Sequence, residues 1–364
     1  MSGDEQVLAA ADSFLRESVA PNAQDIDLHP EALAEALRGL CERNLMALRR
    51  PPKYGGPDIS EESFRRFQEQ VARYSGSLAF LQTQHQSAGS MIAKSDNEEL
   101  KQQYLPRMGN GERLVGIGFS QLRRTGPPVM RATQEGEAYI LDGLVPWITG
   151  FGFYHDFLIG ATLPDGRAVF GVVPFEAGRY SEGEITFSEP MKLAAMESAQ
   201  TVSAELRAWR LEPRLVAFVK PPGWIQNNDM INIVLQGHFA LGCARGALDV
   251  LQAAAEKKGL PFLGAAYEAL DAELEACREA TVKGKLGEET DRPISEEKLR
   301  IRAWAIDLAV RCAHAAVTAS SGAANSLQHP AQRIYREALV YTVSAQTSSI
   351  MEATLNTLVS RGPR

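Results

Sequence analysis

The chain has 364 residues, of which 45% are hydrophobic and 23% are charged. At roughly 100 to 200 residues per domain, this length allows two or three domains, each with its own core. The composition is that of a folded globular protein and excludes wholesale disorder or a fibrous repeat. Lysine and arginine number 38 against 45 aspartate and glutamate, a formal net charge of -7, so the chain lacks the basic character expected of a nucleic-acid-binding protein.

The N-terminal segment is acidic, with no basic region ahead of an apolar core, and no stretch reaches about 18 uncharged apolar residues. These features predict a cytoplasmic protein without a membrane span. The four cysteines, Cys41, Cys243, Cys277 and Cys312, lie far apart in helix-like segments with no CxxC pair. This spacing predicts buried free thiols and argues against a metal site or a disulfide framework.

The first third of the chain is predicted to be helical, because apolar residues recur at three- and four-residue spacing from residue 4 to about 108. A turn is predicted at residues 53–57, which contain two glycines and a proline. Ser60 is predicted to cap the next helix, and Ser95 with Glu98 is predicted to form a capping box.

The middle of the chain, from about 113 to 216, is predicted to form a β-sheet or small barrel. Short runs rich in Val, Ile, Phe and Tyr are separated there by Gly, Pro and Asp. Strands are predicted at residues 114–119, 138–141, 157–161, 168–173 and 201–206. Hairpin turns are predicted at residues 164–166 and 135–137.

Helical spacing returns at about residue 225 and predicts a bundle. Its four helices are predicted at residues 228–258, 262–285, 295–320 and 330–359. The first carries small residues at Ala240, Gly242, Ala244 and Gly246. Small side chains permit close helix contact, so we expect this face to lie in the bundle core or at a subunit interface.

The order of helices, sheet and helices predicts an α+β multidomain protein. We expect an N-terminal helical domain over residues 1–110, a central β domain over 111–220 and a C-terminal four-helix bundle over 221–364. A nucleotide-binding α/β fold would instead alternate strand and helix throughout. The sequence contains no complete Rossmann fingerprint, P-loop or nucleophile elbow.

Motifs spread along the chain narrow this class further. Residues 132–149 read ATQEGEAYILDGLVPWIT, with Tyr-Gly-Gly at 54–56, Tyr-Leu-Pro at 104–106 and Arg-Ile-Tyr-Arg-Glu-Ala at 333–338. Taken in chain order, these motifs resemble those of the acyl-CoA dehydrogenase superfamily, and the resemblance covers nearly the whole chain. The resemblance implies the same domain order and a flavin in the cleft between the domains, with FAD favoured and FMN as the alternative. It also implies a small-molecule substrate such as an acyl-CoA, and a homo-oligomer that is a dimer or a tetramer.

The resemblance makes Ser120, Trp147 and Thr149 candidate flavin contacts. Hydroxyl donors near the flavin stabilise the negative charge that develops on its reduction, and an indole covers the ring and excludes water. The alternative is that Trp147 fills the β core and the two hydroxyls satisfy nearby backbone. Arg123 and Arg124 either meet CoA phosphates or form a solvated pair.

Further FAD contacts are implied where the family holds the cofactor across a subunit interface. The family's Gln-x-x-Gly-Gly turn corresponds to residues 318–322, with Thr318 and Gly322 as candidate contacts, and Thr347 is another candidate. The family's diphosphate-binding arginine is absent, which leaves Lys257 or Lys258 as a weaker substitute.

The catalytic base of the family is missing. In its dehydrogenases a glutamate abstracts the substrate α-proton, whereas this chain has Ala345 at that position and Asn232 at the alternative position on the first bundle helix. The nearest carboxylates are Asp229 and Glu352. Both are more typical of solvated helix-face charges than of a base.

Three hypotheses therefore stay open. The first is a flavin-dependent oxidoreductase acting on an acyl thioester or a related substrate. The second is a flavin-dependent monooxygenase of the same fold, which uses O2 and needs no α-proton base; His85 and His238 are then candidate catalytic groups, or else structural histidines. The third is a catalytically inactive flavin-binding or interaction paralogue.

Overall fold

The structure, a computed structural model, describes residues 2–286 and 296–360, and its first part is helical. The helices are α1 Gly3–Phe14, α2 Ala23–Leu28, α3 Pro30–Glu42, α4 Glu61–Tyr74, α5 Gly76–Ala93 and α6 Glu98–Met108. The spacing of apolar residues predicted this helical third correctly. A left-handed Gly55, with φ of 74°, makes the predicted turn before α4.

Local side chains decide where two of these helices begin. Ser60 caps α4 as predicted, because its hydroxyl accepts a backbone N–H three residues on, at 3.2 Å. The predicted capping box of Ser95 and Glu98 is wrong. Asn97 is the cap of α6 and accepts a first-turn N–H at 3.1 Å, while the Ser95 hydroxyl donates to the Ala217 carbonyl in the β region.

The middle of the chain forms a twisted sheet. The strands are β1 Val115–Gly118, β2 Met130–Glu135, β3 Ala138–Thr149, β4 Asp156–Thr162, β5 Ala168–Pro174, β6 Gly178–Tyr180, β7 Gly183–Phe187, β8 Thr201–Leu211 and β9 Val216–Lys220. Their order is β6-β7-β8-β3-β2-β4-β5-β9, with β1 parallel to β4. The five predicted runs are β1, β3, β4, β5 and β8. Both predicted hairpins are confirmed, since β2 pairs with β3 and β4 with β5 in antiparallel register.

The last part of the chain is helical again. Its helices are α7 Trp224–Ile231, α8 Gly237–Lys258, α9 Pro261–Leu286, α10 Glu296–Ser320, α11 Pro330–Val343 and α12 Ser348–Val359. Residue 295, the predicted start of α10, lies outside the described residues. Helices α8 to α11 pack together as the predicted bundle.

Two of the helices predicted in this part are each interrupted. The segment 228–258 breaks after Asn232, whose side-chain amide donates to the Asn228 carbonyl at 2.7 Å and ends α7. The segment 330–359 breaks at Ala345, whose φ of 50° is incompatible with a right-handed helix. The second break shapes the candidate site described below.

Gly242 and Gly246 of α8 face α4 of the same chain, so for them the predicted place in the bundle core or at a subunit interface is wrong, whereas Ala240 and Ala244 are fully buried in the core. A Cβ on Gly242 would lie 2.3 Å from the carbonyl oxygen of Glu69, and one on Gly246 would lie 2.4 Å from that of Arg73. Arg73 also pairs with Asp249 on α8 at 2.8 and 2.9 Å. These glycines let the bundle approach the N-terminal helices closely.

The four cysteines are buried and free, as predicted. Burial raises the pKa of Cys41 to about 11 and that of Cys277 and Cys312 to about 12. Because the thiolate is the reactive form, these thiols are poor nucleophiles.

Within residues 2–286 and 296–360, no helix is both long enough and apolar enough to cross a bilayer. In the same ranges, no three His, Cys, Asp or Glu side chains converge in a way that would hold a metal ion.

Candidate active-site cavity

A cavity of about 560 Å³ lies where the sheet meets α5 and the bundle, and we call it the central cavity. Its wall is formed by α5, β1 and the turn after it, the end of β3, residues 193–196, the start of β8, α8, α10 and the end of α11. Ser120, Trp147, Thr149 and Ala345 are far apart in sequence, and all four line it. The structure thus brings together three candidate flavin contacts and the position of the missing base.

Ser120 begins a short helical turn, Ser120–Arg123, directly after β1. Its hydroxyl is buried in the wall and has no hydrogen-bond partner among the described residues. The alternative in which this hydroxyl satisfies nearby backbone is therefore wrong. An unpaired buried polar group costs about 1–3 kcal/mol, so the wall presents a donor that a ligand would satisfy.

The end of β3 presents Trp147 and Thr149 to the central cavity. The pairing of β3 with β8 shifts register between Val145 and Ile148, and such a bulge re-aims the residues inside it. Trp147 is consequently 51% exposed and does not fill the β core. The Thr149 hydroxyl lies 3.0 Å from the Thr201 hydroxyl, and since only one of the two donates to the other, the pair keeps one proton for a ligand.

Ala345 reaches the wall because the chain turns sharply after α11. Its left-handed backbone separates the end of α11 from the start of α12. Thr347, another candidate contact, caps α12 by accepting a backbone N–H three residues on, at 3.3 Å. Thr347 therefore has a structural partner and lies outside the cavity wall.

The described wall of the central cavity carries no Asp, Glu, His, Cys or Lys side chain. Glu352 is exposed on α12. Asp229 forms a bidentate ion pair with Arg123 at 2.7 and 2.8 Å and is 13% exposed, so the interpretation of Asp229 as a solvated charge is wrong, whereas that of Glu352 is confirmed. Asn232 ends α7 and is not part of the wall. The described wall offers no general base that titrates near neutral pH.

Arg302 on α10 is a wall residue that the sequence analysis missed. Its side chain is 1% exposed, and Nη2 donates to the carbonyl of Ser344 at 3.2 Å and to that of Tyr341 at 3.5 Å. Nε and Nη1 have no partner among the described residues. Burial lowers the pKa of Arg302 to about 10, which still leaves the group charged at neutral pH.

The two candidate catalytic histidines have structural partners. His85 is fully buried on α5; Nδ1 accepts the Val115 N–H at 2.9 Å and Nε2 donates to the Met108 carbonyl at 2.9 Å. This ring joins α5, α6 and β1. His238 lies 3.5 Å from the Glu69 carboxylate and lines a separate polar cavity of about 380 Å³.

His85 makes stability depend on pH. Burial lowers its pKa to about 4, against about 6.5 in an unfolded chain. The unfolded state therefore binds the proton first, and stability present above pH 6.5 is lost as the pH falls towards 4, by on the order of 3 kcal/mol. Urea unfolding between pH 4 and 7 measures this loss. His85→Gln should flatten the slope, and the exposed His29→Gln should not; equal slopes in all three proteins would contradict the assignment.

The remaining candidate contacts lie away from the central cavity, at the end of α10. The Thr318 hydroxyl donates to the His314 carbonyl at 2.9 Å, and Gly322 faces open space. The Lys258 ammonium reaches the same turn and donates to the Ser321 hydroxyl at 3.1 Å. The turn and Lys258 thus form one surface group, separate from Ser120 and Trp147.

Known proteins are similar to this chain in sequence and in fold. The family described as acyl-CoA dehydrogenase, N-terminal domain, matches residues 2–112. A 3-(aryl)acrylate reductase of Clostridium sporogenes is 21% identical over 96% of this chain and 96% of its own length. The mitochondrial short/branched chain specific acyl-CoA dehydrogenase of Bos taurus is 23% identical over 98% and 86%. The solved butyryl-CoA dehydrogenase from Megasphaera elsdenii has a TM-score of 0.78 and 17% identity over 99% of this chain and 98% of that chain.

The family match over residues 2–112, the relatives and the shared fold together support membership of the acyl-CoA dehydrogenase superfamily. The resemblance and the fold class expected from the sequence are thereby confirmed. The fold and the relatives support an acyl-CoA dehydrogenase-like flavoprotein oxidoreductase, and with it a flavin cofactor.

Proposed function

We propose that this protein binds FAD in the central cavity and reduces an activated carbon–carbon double bond in an acyl thioester or a related unsaturated acid. The observation that carries the proposal is a wall with unpaired donors and an aromatic face but no described carboxylate base. The relative named as a 3-(aryl)acrylate reductase supports the direction of the reaction.

The residues of the central cavity fit a flavin. The unpartnered Ser120 hydroxyl and the Thr149–Thr201 pair supply donors, and Trp147 supplies a flat, half-exposed surface. Bound there, the flavin supplies hydride transfer, and donors at its edge favour the reduced form. FAD rather than FMN is supported by the surface group of Lys258 and residues 318–322, at the positions that the family uses across a subunit interface. We therefore also propose a homo-oligomer.

The wall favours reduction over dehydrogenation. Dehydrogenation requires a base for the α-proton, and Ala345 cannot accept one. Reduction requires instead a proton donor at the α-carbon when hydride adds to the β-carbon. Tyr341 lines the central cavity, its hydroxyl has no partner among the described residues, and burial raises its pKa. The phenol is thus held protonated, but the groups that influence it, Glu337 and Cys243, lie outside the cavity wall, so we assign no residue as the donor.

The proposal is tested by incubating the purified protein with excess FAD, removing unbound cofactor by gel filtration and reducing the complex anaerobically. Reoxidation of the retained flavin by an enoyl thioester or an unsaturated acid is the expected result. Retained flavin that only O2 reoxidises, with an oxygenated product, would support the monooxygenase hypothesis instead. No retained flavin would contradict both and leave the inactive paralogue.

Removing the Ser120 hydroxyl should weaken cofactor binding without destabilising the protein. We expect Ser120→Ala to raise the Kd for FAD by about tenfold, the value of one hydrogen bond, and to leave the apoprotein at least as stable, because the variant removes an unpaired buried hydroxyl. Ser198→Ala is the matched control, because the Ser198 hydroxyl is also buried and unpartnered but lies outside the central cavity. Equal FAD affinity in both variants would argue against Ser120 as a flavin contact.

A further inference from the structure

The central cavity carries an uncompensated positive charge. The charged residues of its described wall are Arg123 and Arg302. Arg123 is neutralised by its bidentate pair with Asp229. Arg302 touches two carbonyl oxygens and no described carboxylate.

An arginine in this state is costly. The desolvation free energy of a buried guanidinium is offset only when an anion and further hydrogen bonds replace the solvent. Arg333 follows that rule: it is buried to 4% exposure and pairs with Glu337 at 2.6 Å. Arg302 is more deeply buried, at 1% exposure, and two of its nitrogens stay without a described partner. The missing interaction is the one that an anionic ligand would provide.

The loss of the family's glutamate and the state of Arg302 are connected in space. Arg302 binds the carbonyl of Ser344, the residue directly before Ala345. A carboxylate at position 345 would stand next to this guanidinium and neutralise it. With Ala345 at this position, the Arg302 guanidinium stays unneutralised. The space that the glutamate side chain would fill is then open to an anionic ligand.

The rest of the wall suits an apolar body. Aromatic side chains from α5, the β region and α8 face the central cavity, at Phe80, Phe119, Trp147 and Phe239. Aromatic rings bury large areas and pack well against flat apolar groups.

We propose that the central cavity binds an apolar carboxylic acid, whose carboxylate is held by the unpartnered N–H groups of Arg302 and whose body packs on the aromatic wall. This inference rests on the proposed function in one respect: if the proposed function is correct, the bound acid is the substrate that is reduced. The binding itself requires no flavin, so the two ideas fail separately.

The experiment compares trans-cinnamate with trans-cinnamamide, which have the same shape and differ in charge. Their affinities are measured by calorimetry on the purified protein, with and without added FAD. We expect the acid to bind at least tenfold more tightly than the amide. Cinnamoyl-CoA, which has no free carboxylate on its acyl group, forms the third arm.

Substitutions on α10 test whether Arg302 is the side chain that causes the preference for the acid over the amide. Arg302→Met should remove the tenfold preference, and Arg302→Lys should keep part of it. Arg300→Met is the matched control, because Arg300 is exposed on the same helix, and it should behave as the wild type. Circular dichroism checks that each variant folds.

Equal affinity for acid and amide in the wild type would overturn the inference without any variant, and so would an unchanged preference in Arg302→Met. Binding of cinnamoyl-CoA with no binding of cinnamate would overturn it while leaving the proposed function intact. A preference for the acid in a protein that retains no flavin would support the inference and contradict the proposed function.

Discussion

Replacing Gly242 with alanine is expected to lower the free energy of unfolding by about 2–3 kcal/mol, the upper part of the usual cost of overpacking. The new methyl group would lie 2.3 Å from the Glu69 carbonyl oxygen and 2.8 Å from the Ala72 Cβ. Neither atom can rotate away, because one belongs to the backbone and the other is fixed to it. Helices α4 and α8 would have to separate, which loosens the contact between the N-terminal helices and the bundle. Urea unfolding measures the effect.

Gly264→Ala is the matched control. Gly264 lies in the first turn of α9, and a Cβ there would meet no atom within 4 Å. Alanine has the higher helix propensity, so this variant should be neutral or more stable by up to about 1 kcal/mol. If the two variants unfolded alike, the close approach of α4 and α8 would be wrong.

Substituting Ala345 with glutamate is expected to create acyl-CoA dehydrogenase activity at least about 100-fold above that of the wild type. The new carboxylate would enter the central cavity and supply the missing base, and general-base catalysis contributes typically 10²–10⁴-fold. Bleaching of bound FAD by butyryl-CoA under anaerobic conditions reports the reaction. The same carboxylate would neutralise Arg302, so cinnamate binding should weaken in this variant.

Ala345→Gln is the matched control, with a side chain of nearly equal size and no basicity. It should stay inactive and should keep the preference for cinnamate. If the glutamine variant bleached FAD as well as the glutamate variant does, added volume and not a base would explain the gain. An inactive glutamate variant that retains FAD would show that position 345 does not face the substrate α-carbon.

The sequence predicted the order of elements because each depends on local patterns. Apolar spacing over residues 4–108 and alternating runs after residue 113 follow from which faces are buried. The family motifs brought Ser120, Trp147, Thr149 and Ala345 to one site before any contact was known. Their meeting in one cavity is the part of the candidate site that sequence could supply.

Other features depend on contacts between distant segments. The break at Ala345 has no local signal, since alanine favours a helix, and Arg302 stabilises the turn by binding the Ser344 carbonyl. Arg302 itself resembles any charged residue of an amphipathic helix. The glycines of α8 indicate a close helix contact, but their spacing does not identify α4 as the neighbouring helix.

The turn Ser120–Arg123 has two structural roles in four residues. At its first residue, the Ser120 hydroxyl faces the central cavity. At its last residue, Arg123 donates two charged hydrogen bonds to Asp229 of α7. The turn after β1 and helix α7 therefore cannot shift relative to each other without breaking this ion pair or displacing the hydroxyl. Residues of the N-terminal helices, the sheet and the bundle all line the cavity, so a ligand that fills it would hold these three parts together.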